Sequence, residues 1–221
     1  MKLLLEFLME IHQNNNKEWF VANKPRYDSL FIQFKGFVKE VEIGLAKHDQ
    51  IQEGKVFRIY RDVRFSPDKT PYKSNMSGYF QRSTARLRGG FYLHVQPGES
   101  FVGGGFWNPE NQDLKRIRDE FAFDHKSIEP IVAVPIFQKY FGKIEGDALK
   151  TAPRGFDKEH PAIDLIRMKQ YVVKRPFTDK EVIADDFAEE IVKTFVAMIP
   201  FFNYMSQILT TNLNGESILE G

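Results

Sequence analysis

The chain has 221 residues, 42% of them hydrophobic and 28% charged, which is enough to bury a full core and ordinary for a soluble globular protein. It contains no cysteine, which excludes disulfides, thiolate zinc sites and a cysteine nucleophile, and fits a reducing compartment. The net charge of +1 hides an asymmetry, because nine Lys and Arg stand against two acids between Lys55 and Arg88, leaving the remainder mildly acidic.

The opening run Met1–Met9 superficially resembles a signal peptide. Glu6 interrupts it and no small-residue cleavage site follows before Asn14-Asn15-Asn16. Leu4, Phe7, Leu8 and Ile11 share a helical face, so a short amphipathic helix is expected over 3–12. Asn16 is placed to cap a second short helix carrying Trp19 and Phe20. Pro25 suits the first turn of a third, long helix reaching about His48. Tyr27, Phe31, Phe34, Val38, Val41 and Leu45 then recur at spacings of three and four, the seam of a packed helix.

The middle of the chain reads as strands over 56–62, 75–81, 90–96 and 100–107. Phe91, Leu93 and Val95 alternate with Tyr92, His94 and Gln96, and Pro97-Gly98 turns the last pair into a hairpin. Asn108-Pro109 starts a helix facing Leu114, Ile117 and Phe121 inward, and a further helical turn or two is expected over 136–141. A Gly- and Pro-punctuated loop follows, then a strand over 167–174. Thr178 and Glu181 form a capping box for a final helix running from Asp179 to about Met198, with continuation past Pro200 open. The apolar stretch 191–209 carries Lys193, Pro200 and Asn203 and is too broken for a membrane span. Helices, a block of strands, then helices predict a single α+β domain over residues 1–221, with a mostly antiparallel sheet covered by helices. A cytoplasmic location without membrane partners is expected.

One stretch is chemically dense. Arg58, Arg61, Arg64, Lys69 and Lys73 fall within sixteen residues, interleaved with Asp62, Asp68, Tyr60 and Tyr72. Arginine forks suit phosphate or carboxylate, the two aspartates would orient them, and Pro67 and Pro71 stiffen the loop between. The competing reading is an internal lattice of ion pairs that fixes a loop to the sheet. A second basic group comprises Arg154, His160 and Arg167. His160 is a general acid/base candidate or a loop-capping residue. Gly103-Gly104-Gly105 lacks the following Lys-Ser/Thr of a phosphate-binding loop, so a bulged strand end is the plainer reading. The five histidines show no metal-ligand spacing, and no motif calls for a cofactor.

Three functions fit these residues. The first is a basic pocket for a phosphorylated or other anionic small molecule, with or without catalysis. The second is a single-stranded nucleic-acid-binding module using the interleaved aromatics. The third is a protein-interaction domain presenting the Met198–Met205 stretch. No residue names a reaction or an oligomeric state.

Asn14-Asn15-Asn16-Lys17-Glu18-Trp19-Phe20, the run from Phe57 to Lys73, Gly90-Phe91-Tyr92-Leu93-His94, Gly103-Gly104-Gly105, and Ala152-Pro153-Arg154-Gly155-Phe156 with His160-Pro161-Ala162 together resemble the family called domain of unknown function 2461. The resemblance extends from about residue 5 to 200. It implies a cytosolic single domain in a widespread, mainly bacterial family. It supplies no activity, so no catalytic residue is carried over.

Overall fold

The computed structural model describes residues 1–219. In chain order these form α1 (Lys2–Gln13), α2 (Lys17–Leu45), β1 (Lys55–Val56), β2 (Met76–Gln81), β3 (Gly90–Val95), β4 (Phe101–Phe106), α3 (Asn111–Phe123), a 3-10 turn (Lys126–Ile128), α4 (Glu129–Val132), α5 (Pro135–Tyr140), α6 (Ile163–Arg167), β5 (Tyr171–Pro176), α7 (Asp179–Val182) and α8 (Phe187–Thr210). The class is α+β, with one antiparallel sheet in the order β1-β2-β3-β4-β5. Neighbours in sequence are neighbours in the sheet, as short connections dictate. Two links are long: residues 57–75 between β1 and β2, and the β4–β5 link, which passes through α3 to α6. No helix among the described residues is long and apolar enough to cross a membrane.

The chain forms two compact units, each assembled from several segments. The first comprises Met1–Gln81, Tyr92–Val102 and Pro176–Lys193. Its core holds Phe7, Leu8 and Ile11 of α1 with Phe20, Phe34, Val38, Val41 and Leu45 of α2. Gly78 in β2 lets the sheet approach α2 closely, since a Cβ there would sit 3.1 Å from Val38. Phe37 and Phe177 both pack on Phe187, at centroid distances of 5.5 and 5.3 Å. Among the described residues, the second unit comprises Arg82–Phe91, Gly103–Arg175 and residues 194–219. Phe91 lies 5.0 Å from Phe195 and 4.9 Å from Phe202, and Phe106 meets both Phe201 and Phe202 edge-on. Met198, Phe201, Phe202 and Met205 are fully buried, so the stretch expected to offer an interaction surface is core instead.

Local expectations fail where packing or backbone chemistry overrides them. Residues 17–45 form one helix with Pro25 inside it, not two. Proline removes a hydrogen bond to the carbonyl of Val21, a solvent-exposed residue whose carbonyl water can serve. Phe20 and Tyr27, seven residues apart, bury one continuous face across that gap. The helix expected at Asn108 starts at Asn111, because Asn108 adopts a left-handed φ of 48° and turns the chain. Arg167 ends α6 instead of opening a strand, and β5 begins only at Tyr171. The Thr178–Glu181 capping box forms in full, yet its helix stops at Val182 and α8 starts afresh at Phe187, then continues through Pro200. The strand expected over 56–62 shrinks to Lys55–Val56, and that shortening shapes the candidate site.

A candidate anion-binding hairpin

After β1 the chain leaves the sheet. Phe57 still donates its N–H to the Ser77 carbonyl, at 3.0 Å, and the next residues pair with one another instead. Lys73 donates to Ile59 (2.8 Å) and Arg61 to Pro71 (2.9 Å), bracketing an antiparallel bridge between Tyr60 and Tyr72. Such a non-hydrogen-bonded pair brings side chains close. The two tyrosine rings lie 5.5 Å apart. Pro67 and Pro71 cannot donate a backbone hydrogen bond, which favours a loop over continued strand between these arms.

This irregular hairpin is held down by α2 and the α1–α2 junction. Tyr72 stacks on Phe20 at 4.0 Å, and Tyr60 meets the same ring edge-on at 5.7 Å. The Asn15 side chain reads the Tyr72 peptide like a neighbouring strand: its Nδ2 donates to the Tyr72 carbonyl (2.9 Å) and its Oδ1 accepts the Tyr72 N–H (3.1 Å). Its neighbours do other work. Asn14 donates to the Glu10 carbonyl at the end of α1, and Asn16 caps α2 by accepting the Trp19 N–H. Burial drives the Tyr27 phenol up to about 12, while the Ile59 N–H bonded to it acts in the opposite direction. Ile59 itself is buried, which fixes the first arm of the hairpin. Sequence reasoning missed Asn15 and Phe20 as anchors, although three consecutive asparagines ahead of aromatics were a visible signal.

The charges then sort into two groups. Arg61 is half-buried and engages both Asp68 and the Thr70 hydroxyl, and Asp68 also accepts the Thr70 N–H at 2.9 Å. The Arg61 bond first, then those from Thr70, pull the Asp68 carboxyl down to about 2. Arg64 forks onto Asp62 through Nε and Nη2 at 2.9 and 2.6 Å, holding that carboxyl below its ordinary value. Both pairs lie at the surface, where solvent screens them, so they shape the loop more than they stabilise the fold. Lys69 donates to the Val63 carbonyl at 2.9 Å. The internal lattice is therefore real for Arg61 and Arg64.

It does not extend to Arg58 and Lys73. Neither has an ion-pair partner among the described residues. Lys73 sits over the Phe57 ring at 5.6 Å, and its amine is pushed down first by partial burial and then by the charge of Arg58. Two like charges are held near one another, and the Asp62 carboxylate that also feels the Arg58 charge is already forked by Arg64. The aromatics beside them are open to solvent: Phe57 is 44% exposed, Tyr60 45% and Phe65, at the tip, 94%. At the sheet end of the hairpin, α2 and β1 frame a cleft of about 450 Å³ lined by Lys35, Lys39, Glu42, Glu53 and Lys55. Lys39 is spent on Glu42 there, which also accepts the Gly54 N–H at 2.9 Å.

The second basic group belongs to the other unit. Arg154 is exposed in a turn closed by Phe156 on Pro153. Arg167 donates through Nε to the Leu149 carbonyl at 2.7 Å, with Asp164 at 3.8 Å. His160 accepts the Ala162 N–H on Nδ1 and donates from Nε2 to the Ala122 carbonyl, both at 3.1 Å, with His125 edge-on at 5.6 Å. Nε2 thus ties the loop to the end of α3, while Nδ1 fixes the turn into α6. The glycine triplet is also accounted for by packing. A Cβ on Gly104 would lie 2.7 Å from Phe202, and one on Gly105 would lie 2.2 Å from the Tyr171 carbonyl.

The motifs that build this hairpin and its anchors run from Asn14 to Lys73, within a longer stretch, residues 3–204, that matches the model of a family described as a conserved hypothetical protein, DUF2461. The chain belongs to the DUF2461 family. The DUF2461 match takes in the hairpin and both basic groups. No curated protein and no solved structure matches this DUF2461 chain.

Proposed function

We propose that the hairpin from Phe57 to Lys73 binds a phosphorylated or otherwise anionic ligand, with Arg58 and Lys73 as its primary contacts. One observation carries this reading: Arg58 and Lys73 are neighbouring cations with no ion-pair partner among the described residues, and the lysine amine is already depressed. A bound anion would offset both the repulsion and the partial desolvation. Arg64 and Lys69 are secondary contacts. Asp62, Asp68 and Arg61 act by fixing the loop, so that little entropy is lost when a ligand docks. Arg154, Arg167 and His160 are not needed for this function, and no reaction is assigned. A cytoplasmic setting is the accompanying reading, supported by the cysteine-free composition.

The test is a thermal-shift screen of inorganic phosphate, pyrophosphate and phosphorylated metabolites on wild type and the Arg58→Ala/Lys73→Ala double variant. A ligand at a hundredfold its Kd stabilises the folded state by about 2.7 kcal/mol. That gain is expected in wild type and absent in the double variant. An unshifted screen, or a shift that survives the double substitution, would reject the proposal.

A further inference from the structure

The hairpin carries more than charge, and its aromatic pattern identifies a ligand class. Single exposed apolar side chains are common on protein surfaces and need no explanation. Here Phe57, Tyr60 and Phe65 fall within nine residues, each next to an arginine in sequence: Arg58, Arg61 and Arg64. Phe65 contributes little to the fold, since its described ring contact is the Arg64 guanidinium at 6.0 Å. Arg64 is itself 76% exposed, and its fork onto Asp62 leaves Nη1 facing away. A simple phosphate has no use for open aromatic faces. A base does, and successive bases joined by phosphates use faces and cations alternately.

The shape of the surface narrows the class further. Between Val56 and Met76 there is no helix to enter a duplex groove, only an extended hairpin and its tip. Aromatic faces also receive bases only when these are unstacked, as in single strands. We infer that the hairpin binds single-stranded nucleic acid, with phosphates on Arg58 and Lys73 and a base stacked on Phe65. The inference rests on the anion-binding proposal for the first two residues and adds the third.

The experiment is fluorescence anisotropy of the full chain with labelled oligo-dT and oligo-U of about 15 nucleotides, the upper end of common single-strand site sizes. Its parallel arms are the same DNA as a duplex, inorganic pyrophosphate, and vesicles containing phosphatidylserine. Binding is expected to weaken with salt, with a log–log slope of about −1.4 to −2.8 for two to four phosphate contacts. Phe65→Ala should weaken it roughly five- to a hundred-and-fiftyfold at unchanged Tm, and Phe65→Trp should restore it with quenching beyond that of wild type. Pyrophosphate stabilisation through Arg58 and Lys73 without oligonucleotide binding would overturn this inference alone. So would affinity indifferent to Phe65, equal affinity for duplex, or binding to vesicles only. Failure of the oligonucleotide together with an unshifted screen of phosphate, pyrophosphate and phosphorylated metabolites would overturn the anion reading as well.

Discussion

Three consecutive asparagines should differ sharply in what they contribute. Asn15→Ala removes both bonds to the Tyr72 peptide, whose residue is 6% exposed and has no water to replace them. A net bond contributes about 1 kcal/mol, and a buried group left unpaired costs about 1–3. Losing the pair therefore predicts a destabilisation of about 2–4 kcal/mol. Asn16→Ala removes an exposed N-cap, with an expected cost of about 1 kcal/mol. Asn14→Ala leaves the Glu10 carbonyl with the Asn14 backbone N–H, still bonded at 3.0 Å, so about 0.5 kcal/mol or less is expected. Urea unfolding at equilibrium measures all three. The midpoint should fall in the order Asn15, Asn16, Asn14 at constant m, which keeps the comparison one of stability alone. An Asn15→Ala protein within about 0.5 kcal/mol of wild type, or less affected than Asn16→Ala, would refute the strand-mimic role.

Two glycines should respond in opposite directions. Gly105→Ala places a methyl 2.2 Å from the Tyr171 carbonyl at a φ of 137°, so loss of soluble folded protein is expected, whereas Gly36→Ala has open space within α2 and should stabilise by about 0.5–1 kcal/mol in thermal unfolding. The acid limb of stability should report Asp68. Its folded carboxyl is depressed to about 2, so its contribution is present above the ordinary carboxylate value of about 4 and fades as pH falls through about 2. The Tm difference between wild type and Asp68→Asn should be constant above about pH 5 and shrink below it, and a difference independent of pH would contradict the Arg61–Asp68 assignment.

Much of the scaffold was legible because its signals are local. The Tyr27–Leu45 seam, the Pro97-Gly98 hairpin and the Thr178–Glu181 capping box depend on neighbours within a few residues, and each appears in the structure. Even there, Leu30 is buried where Phe31 is only half so, because the apolar face turns slightly with each helical repeat. The site resisted reading for a different reason. Whether Arg61 meets Asp68, or Arg64 meets Asp62, depends on how the chain turns through Ser66 and Pro67, and composition does not fix that turn. The sequence also offered no way to see that Arg58 and Lys73 would be left out of the pairing. Asn15 lies 57 residues from Tyr72, a separation at which no periodicity speaks.

That separation has a consequence for how the molecule opens. The Tyr72 amide is shielded from solvent exchange only while the α1–α2 junction holds its shape. Fraying at Asn15 therefore exposes the base of the hairpin without unfolding the sheet beside it. The two segments should exchange their amide hydrogens as one cooperative unit, at a free energy below that of global unfolding. A ligand gripping the hairpin would slow exchange at the junction as well, so the first sign of occupancy can be read at the start of α2, away from the cations that hold it.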